Sequence, residues 1–126
     1  MTLLTIFSIG IGGFIGAVLR SWLNGVASEQ FPNFIAIGTL SVNLLGSLIL
    51  GAFIAYSMHV SVDVHIKSFI STGLLGALTT YSTFAVESFL LLEGGSYALA
   101  LSNILLNVIG TITFAAIGFK SVKMLI

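Results

Sequence analysis

The chain has no cysteine in 126 residues, a single proline, and very little charge: four Lys or Arg against four Asp or Glu. Without cysteine there is no disulfide framework, thiolate metal site or thiol nucleophile. A soluble domain usually carries about 25% charged residues, whereas 6% are charged here and 57% are hydrophobic. So few charges cannot cover a surface that faces water, so lipid must cover it. Net charge is zero and there is no basic patch, which excludes nucleic acid as a partner. No basic residue precedes the first apolar run, so this stretch lacks the charged start of a secretory leader. It reads as a first membrane helix kept in the mature protein.

What is present is apolar length. Mean hydropathy is +1.17, and a spanning helix needs about 20 mostly apolar residues. Four stretches qualify, at about 3–23, 35–58, 67–92 and 97–119, which predicts one all-α domain of four transmembrane helices filling residues 1–126. The loop after helix 1 holds Glu29 and Pro32, a polar loop spans His59 to His65, and Gly94-Gly95 separates helices 3 and 4. Short connections make successive helices antiparallel. Lys67, Lys120 and Lys123 then share one side and Arg20 marks the other, which favours cytoplasmic termini.

Three helices carry stripes of residues four apart, which share one face. These are Gly12, Gly16 and Arg20; Thr39, Asn43 and Ser47; and Asn103, Asn107 and Thr111. Small residues let membrane helices approach, and Asn or Thr bonds across the interface, so packing accounts for the glycines. Amides are costlier to bury than adhesion requires, so a role in a polar pathway stands beside packing for them. Gly10, Gly12, Gly13 and Gly16 do not fit a nucleotide-binding G-x-G-x-x-G, because Ile15 occupies the third glycine position and no strand precedes them. His59, Asp63 and His65 fall in one loop and read as solvated rather than metal-bound.

Helix 3 is the exception to plain apolar patterning. Thr79, Thr80, Tyr81, Ser82 and Thr83 are five hydroxyl side chains in a row inside an apolar stretch. An unpaired hydroxyl in lipid costs roughly 1–3 kcal/mol, and five in a row surround a helix. Gly73 and Gly76 weaken the helix just before them, and hydroxyls can replace backbone partners. Helix 3 is therefore expected to break near 76–80, where non-helical backbone is tolerated only inside protein or beside a wet cavity. Free carbonyls there can bind a cation. Arg20 and Glu87 are the charged residues within the spans and are functional candidates by default. Arg20, about a turn from the expected helix end, has snorkelling as its plainer reading; Glu87 has a pairing with Arg20 or Lys67.

On these residues the chain resembles the small fluoride channels of the Fluc (CrcB) family over essentially its full length. The resemblance is carried by Gly12-Gly13 and Arg20, by Gly38-Thr39-Leu40-Ser41-Val42-Asn43, and by Thr72-Gly73 with Gly76-Ala77-Leu78-Thr79-Thr80-Tyr81-Ser82-Thr83-Phe84 and Glu87. Asn107 and Gly110-Thr111 add to it. It implies a multi-pass protein of the bacterial plasma membrane, an antiparallel, dual-topology homodimer with two fluoride pores, and passive fluoride export. It also implies one structural sodium ion at the dimer centre, held by the backbone carbonyls of Gly76 and Thr79. Tyr81 and Phe84 match the ring edges that line the pores, and Asn43 matches the pore amide. Ser82, Thr83 and Thr111 match the polar track, with Thr39 and Asn107 beside it. Glu87 matches a vestibule carboxylate and Arg20 the helix 1 arginine.

Elementary chemistry agrees with that implication. Fluoride is small and strongly hydrated, so a selective pore must replace its water with close hydroxyl or amide donors. An aromatic ring has a positive edge that can face an anion without a full charge, whereas a lysine would hold the ion too tightly. Two positions depart from the family pattern: Tyr81 stands where phenylalanine is usual, and Ala115 where many members carry a hydroxyl. The three-to-one basic bias favours one orientation, so a heterodimer with a paralogue is the alternative assembly. Two other functions compete. A small four-helix multidrug antiporter would need a carboxylate in helix 1, where Arg20 is the charged residue. A non-transporting scaffold would leave the five hydroxyls unexplained. No nucleophile–base set is visible, which argues against an enzyme.

Overall fold

The computed structural model describes residues 1–126. It is all-helical, and its order is α1 (Leu3–Gln30), α2 (Ile37–His59), α3 (Val64–Lys67), a π-helical stretch (Ser68–Leu75), α4 (Gly76–Leu78), α5 (Tyr81–Glu93) and α6 (Tyr97–Leu125). Four helical spans are long and apolar enough to cross a membrane: Leu3–Gln30, Ile37–His59, Val64–Glu93 and Tyr97–Leu125. Large apolar side chains such as Phe7, Phe14, Val86, Phe89 and Ile112 are exposed along them, as a lipid-facing surface requires.

Two helices run past the expected ends. α1 continues to Gln30, so the connection before α2 is Phe31 to Ala36 rather than a loop beginning at Asn24. Asn24-Gly25 weakens the helix without ending it; Pro32 lies beyond it and sets the stop. α6 likewise continues through Lys120 and Lys123 to Leu125. The loop holding the histidines is shorter than expected. His59 ends α2, and the Asp63 carboxylate caps α3 by accepting from the His65 amide at 2.8 Å. His65 Nδ1 lies 3.3 Å from the Thr5 hydroxyl.

The chain passes up, down, up and down, with alternate spans parallel and in contact. α1 lies along the first half of the third span, and α2 packs most extensively on α6. The glycine stripe of α1 makes the first contact possible. Gly12 and Gly16 are buried against the backbone of Phe69 to Leu74. A methyl group on Gly73 would sit 2.7 Å from the Ile9 carbonyl and 3.0 Å from Gly12 Cα. The α2–α6 contact uses Gly51 and Gly118 in the same way, each facing backbone of the other helix.

The third span is the irregular one. It begins as a single α-turn, widens into eight residues of π-helix, tightens again at Gly76–Leu78, and then opens. Thr79 (φ −83°, ψ 157°) and Thr80 (φ −150°, ψ 112°) are extended, and a new helix begins at Tyr81. The break lies within the expected interval and near the middle of the span. Long π-helical runs are rare and frequently mark functional sites.

Candidate functional site

The break leaves two peptide groups at mid-span without helical partners, and one side chain serves both. Asn43 Oδ1 accepts from the Thr80 amide at 2.8 Å, and Asn43 Nδ2 donates to the Thr80 carbonyl at 3.1 Å. The second Nδ2 proton goes to Asn107 Oδ1 at 2.9 Å. Asn43 therefore pairs with the extended backbone as a neighbouring strand would. It does so from α2, where i+4 spacing puts Thr39, Asn43 and Ser47 on one face. Because the Thr80 amide is spent on Asn43, the Gly76 carbonyl loses its usual partner four residues on.

The five hydroxyls divide in two. Thr79 returns its hydroxyl to the Leu75 carbonyl at 3.0 Å. Thr80 caps α5, accepting from the Thr83 amide at 3.3 Å and donating to the Thr83 hydroxyl at 2.9 Å. Tyr81, Ser82 and Thr83 open the new helix and are exposed, Tyr81 to 78%. Phe84, one turn along, is buried. The Tyr81 and Phe84 rings meet edge to face, with centroids 5.4 Å apart and planes at 72°.

Two cavities flank Thr80. The larger, about 340 Å³, is lined by Asn43, Thr79, Thr80, Tyr81, Phe84, Asn107 and Thr111, together with Gly46, Ser47, Leu50, Val108 and Ile112. No charged side chain reaches it. The smaller, about 220 Å³, is lined by Ala17, Arg20, Ser21, Asn24, Thr39, Val42, Thr80 and Thr83. Thr80 is the wall they share. The structure thus brings most of the expected pore residues to one place and divides the rest. Arg20, Thr39 and Thr83 belong to the second cavity, and Gly76, Ser82 and Glu87 line neither.

Two placements differ from the plainer sequence readings. Arg20 is not near a helix end: α1 runs ten residues further, roughly 15 Å. Its guanidinium turns inward, with Nη1 3.5 Å from the Thr79 carbonyl. Glu87 pairs with neither Arg20 nor Lys67. Its Oε1 accepts from the Thr39 hydroxyl at 2.7 Å, and its Oε2 is buried without a partner. Sequence reasoning gave no role to Asn24, whose side chain lies against Gly38 and lines the smaller cavity. It gave none to Ser88 either, which accepts from Asn103 Nδ2 at 3.0 Å. The i+4 spacing of Asn103 and Asn107 was the available signal for a buried partner on α5.

Comparison with known proteins is consistent over the whole chain. The family model described as CrcB-like protein, Camphor Resistance (CrcB), matches residues 7–119. The fluoride-specific ion channel FluC of Sulfurimonas denitrificans is 59% identical over 121 residues, covering 95% of this chain and 94% of that protein. The protein of that name from Nautilia profundicola is 52% identical over 120 residues, covering 94% of each. That from Campylobacter fetus subsp. fetus is 44% identical over 126 residues, covering 99% of this chain and 98% of its own. With four apolar spans and similarity from end to end, the chain is a multi-pass membrane protein and belongs to the CrcB-like family.

Proposed function

We propose that this chain forms a fluoride-selective channel that lets the ion leave a bacterial cell down its gradient across the plasma membrane. The observation that carries the reading is the larger cavity at the mid-span break. It pairs the edge-to-face rings of Tyr81 and Phe84 with hydroxyl and amide groups, and every polar group lining it is neutral. Ring edges and neutral donors replace the water of a small hard anion without trapping it. The names of the similar proteins point the same way. The membrane-embedded carboxylate that a cationic-drug antiporter needs in its first helix has no counterpart in α1, whose one acid, Glu29, lies one residue from its C-terminal end.

In this reading Asn43, Phe84, Tyr81 and Thr111 line the conducting path, with Ser82 and Thr83 continuing it along α5. Thr39 and Glu87 lie at the approach to it, beside the cavity that Arg20 faces. Both Asn43 protons are committed to Thr80 and Asn107, so an ion that takes one must displace a protein acceptor. The cavity is open on the side of Tyr81, and a second, antiparallel copy of the chain closes it, giving two pores. The carbonyls of Gly76 and Thr79 are hard oxygen donors that suit sodium; the Gly76 carbonyl is released by the Thr80–Asn43 bond, and the Thr79 carbonyl keeps a second lone pair beside its long contact to Arg20. They would hold the ion, whose contribution is a fixed charge bracing the break. One observation favours a second assembly: Lys67, Lys120 and Lys123 share one side, and Arg20, turned inward within α1, does not balance them. That bias favours a single orientation and so a paralogous partner inserted the other way.

The test is halide efflux from liposomes holding the purified protein, with fluoride and chloride measured in parallel. Fluoride loss without chloride loss is expected, and Phe84→Ile is expected to abolish it while leaving the oligomer intact. Retained flux in Phe84→Ile removes the ring-edge argument. Absence of fluoride flux from folded wild-type protein removes the homodimer, and absence after co-expression with a paralogue removes the function.

A further inference from the structure

The bonds of Asn43 do not end at Asn107. Asn107 Nδ2 donates to Asn103 Oδ1 and to the Asn103 carbonyl, each at 3.0 Å. Asn103 Nδ2 donates to the Ser88 hydroxyl at 3.0 Å, and that hydroxyl donates to the Phe84 carbonyl at 2.8 Å. The chain of bonds leaves the third span at Thr80, crosses α2 and α6, and returns to the same span at Phe84. All four side chains are buried: Asn43 is 7% exposed, Asn107 4%, Asn103 7% and Ser88 5%.

Its direction has no freedom. The Thr80 N–H is a donor and the Thr80 carbonyl an acceptor, so the Asn43 amide has one allowed orientation. That makes Asn107 Oδ1 the acceptor, which turns Asn107 Nδ2 toward Asn103, where the backbone carbonyl again accepts only. Asn103 must then offer its nitrogen to Ser88. Reversing any one amide sets two donors or two acceptors against each other in a buried place, which is costly.

We propose that Asn103 and Ser88 are positioning residues that fix the orientation of the Asn43 amide, acting through Asn107. Neither lines the larger cavity; they act from behind it. Their relay holds the two features of the proposed pore, the Asn43 amide at the break and the Phe84 ring, in one closed circuit. The inference rests on the proposed channel function for its consequence, though not for the bonds themselves.

The test has two readouts. In ¹⁵N-labelled protein in micelles, the Asn43 side-chain amide signals are followed for shift and solvent exchange. In liposomes, fluoride and chloride efflux are compared. Asn103→Ala and Ser88→Ala are each expected to move the Asn43 signals and speed their exchange about ten-fold, and to slow fluoride efflux about ten-fold, the effect of one buried hydrogen bond. Ser88→Thr keeps the hydroxyl and is expected to hold the Asn43 signals at their wild-type positions. In the double variant the losses should not add, because both residues act through one path. Unmoved Asn43 signals in both alanine variants, additive losses, or Ser88→Thr shifting those signals as far as Ser88→Ala, would each overturn the relay. Wild-type liposomes without fluoride flux, alone or after co-expression with a paralogue, count against the homodimer or the proposed function instead, and the amide signals still decide whether the relay exists.

Discussion

The two halves of the third span are held by different forces. Before the break, Ser68–Leu75 lies against α1 through glycines: Gly12 and Gly16 on one side, Gly73 on the other, with backbone against backbone. After the break, α5 is held by directed bonds from Asn43 and Asn103 into Thr80 and Ser88. A glycine contact is close but has no preferred rotation, since dispersion is not directional. An amide contact fixes both distance and orientation. Where the span only needs to be near its neighbour, it uses glycine. Where the backbone must open at a set place and present set groups, it uses asparagine. The π-helix falls on the glycine side, where the contacts are backbone against backbone.

The comparison breaks most completely at Asn43. Asn43→Leu keeps the volume and removes every side-chain partner of the Thr80 peptide, leaving a buried N–H and C=O unsatisfied. At about 1–3 kcal/mol for each unsatisfied group, the loss is expected to be roughly 3–5 kcal/mol. The measurement is denaturant unfolding in detergent, read beside fluoride efflux, and both should fail together. Stability near wild type would mean that water or a partner chain, not Asn43, satisfies the break.

The glycine side yields a smaller effect of another kind. Gly73→Ala places a methyl 2.7 Å from the Ile9 carbonyl, and overpacking of this sort costs typically about 1–3 kcal/mol. The relay and the break are far enough along the span that the Asn43 amide signals should stay where they are. A lowered unfolding midpoint with an unmoved Asn43 signal is the expected pair of results. A shifted signal would show that the two halves are mechanically coupled through Gly76–Leu78.

Thr80 separates the cap from the cavity wall. Its hydroxyl caps α5 through the Thr83 amide. Thr80→Val keeps the shape and loses the cap, which is worth about 1 kcal/mol. Thr80→Ser should recover most of that loss. Unfolding midpoints of the two variants check it, and equal midpoints would assign the start of α5 to Asn43 alone.

Much of this was legible before any coordinates. The run Thr79 to Thr83 told of a break because hydroxyls in lipid need partners, and the break is there at Thr79 and Thr80. The i+4 stripes of Asn43 and of Asn103 and Asn107 showed which faces would meet. Three things were not legible, each for a physical reason. Helix ends past residues 23 and 119 were missed because hydropathy marks where lipid ends and not where hydrogen bonding ends. The inward turn of Arg20 was signalled by its place on the face of Gly12 and Gly16, but its contact with the Thr79 carbonyl depends on how α1 lies along the third span, which no local pattern carries. Glu87 took Thr39 as its partner in place of a cation, because 48 residues of chain bring a short neutral donor nearer than any lysine. Ser88 carried no signal of its own; only the i+4 spacing of Asn103 and Asn107 pointed to a buried partner on α5.

The smallest expected effect lies outside both halves and serves as their control. Ala36 caps the start of α2 in the left-handed region, at φ 60° and ψ 18°, a conformation that crowds a Cβ. Glycine adopts it without that crowding but gives up more freedom on folding. The two terms nearly offset, and Ala36→Gly is expected to stabilise by about 0.5 kcal/mol. Ala36 sets how the chain turns into α2, two turns ahead of Asn43, and touches neither the glycine contact nor the amide relay. Fluoride efflux should therefore be unchanged while the unfolding midpoint rises slightly. If efflux fell instead, the placement of Asn43 would depend on the turn that launches its helix, and the directed bonds alone would not account for the geometry of the break.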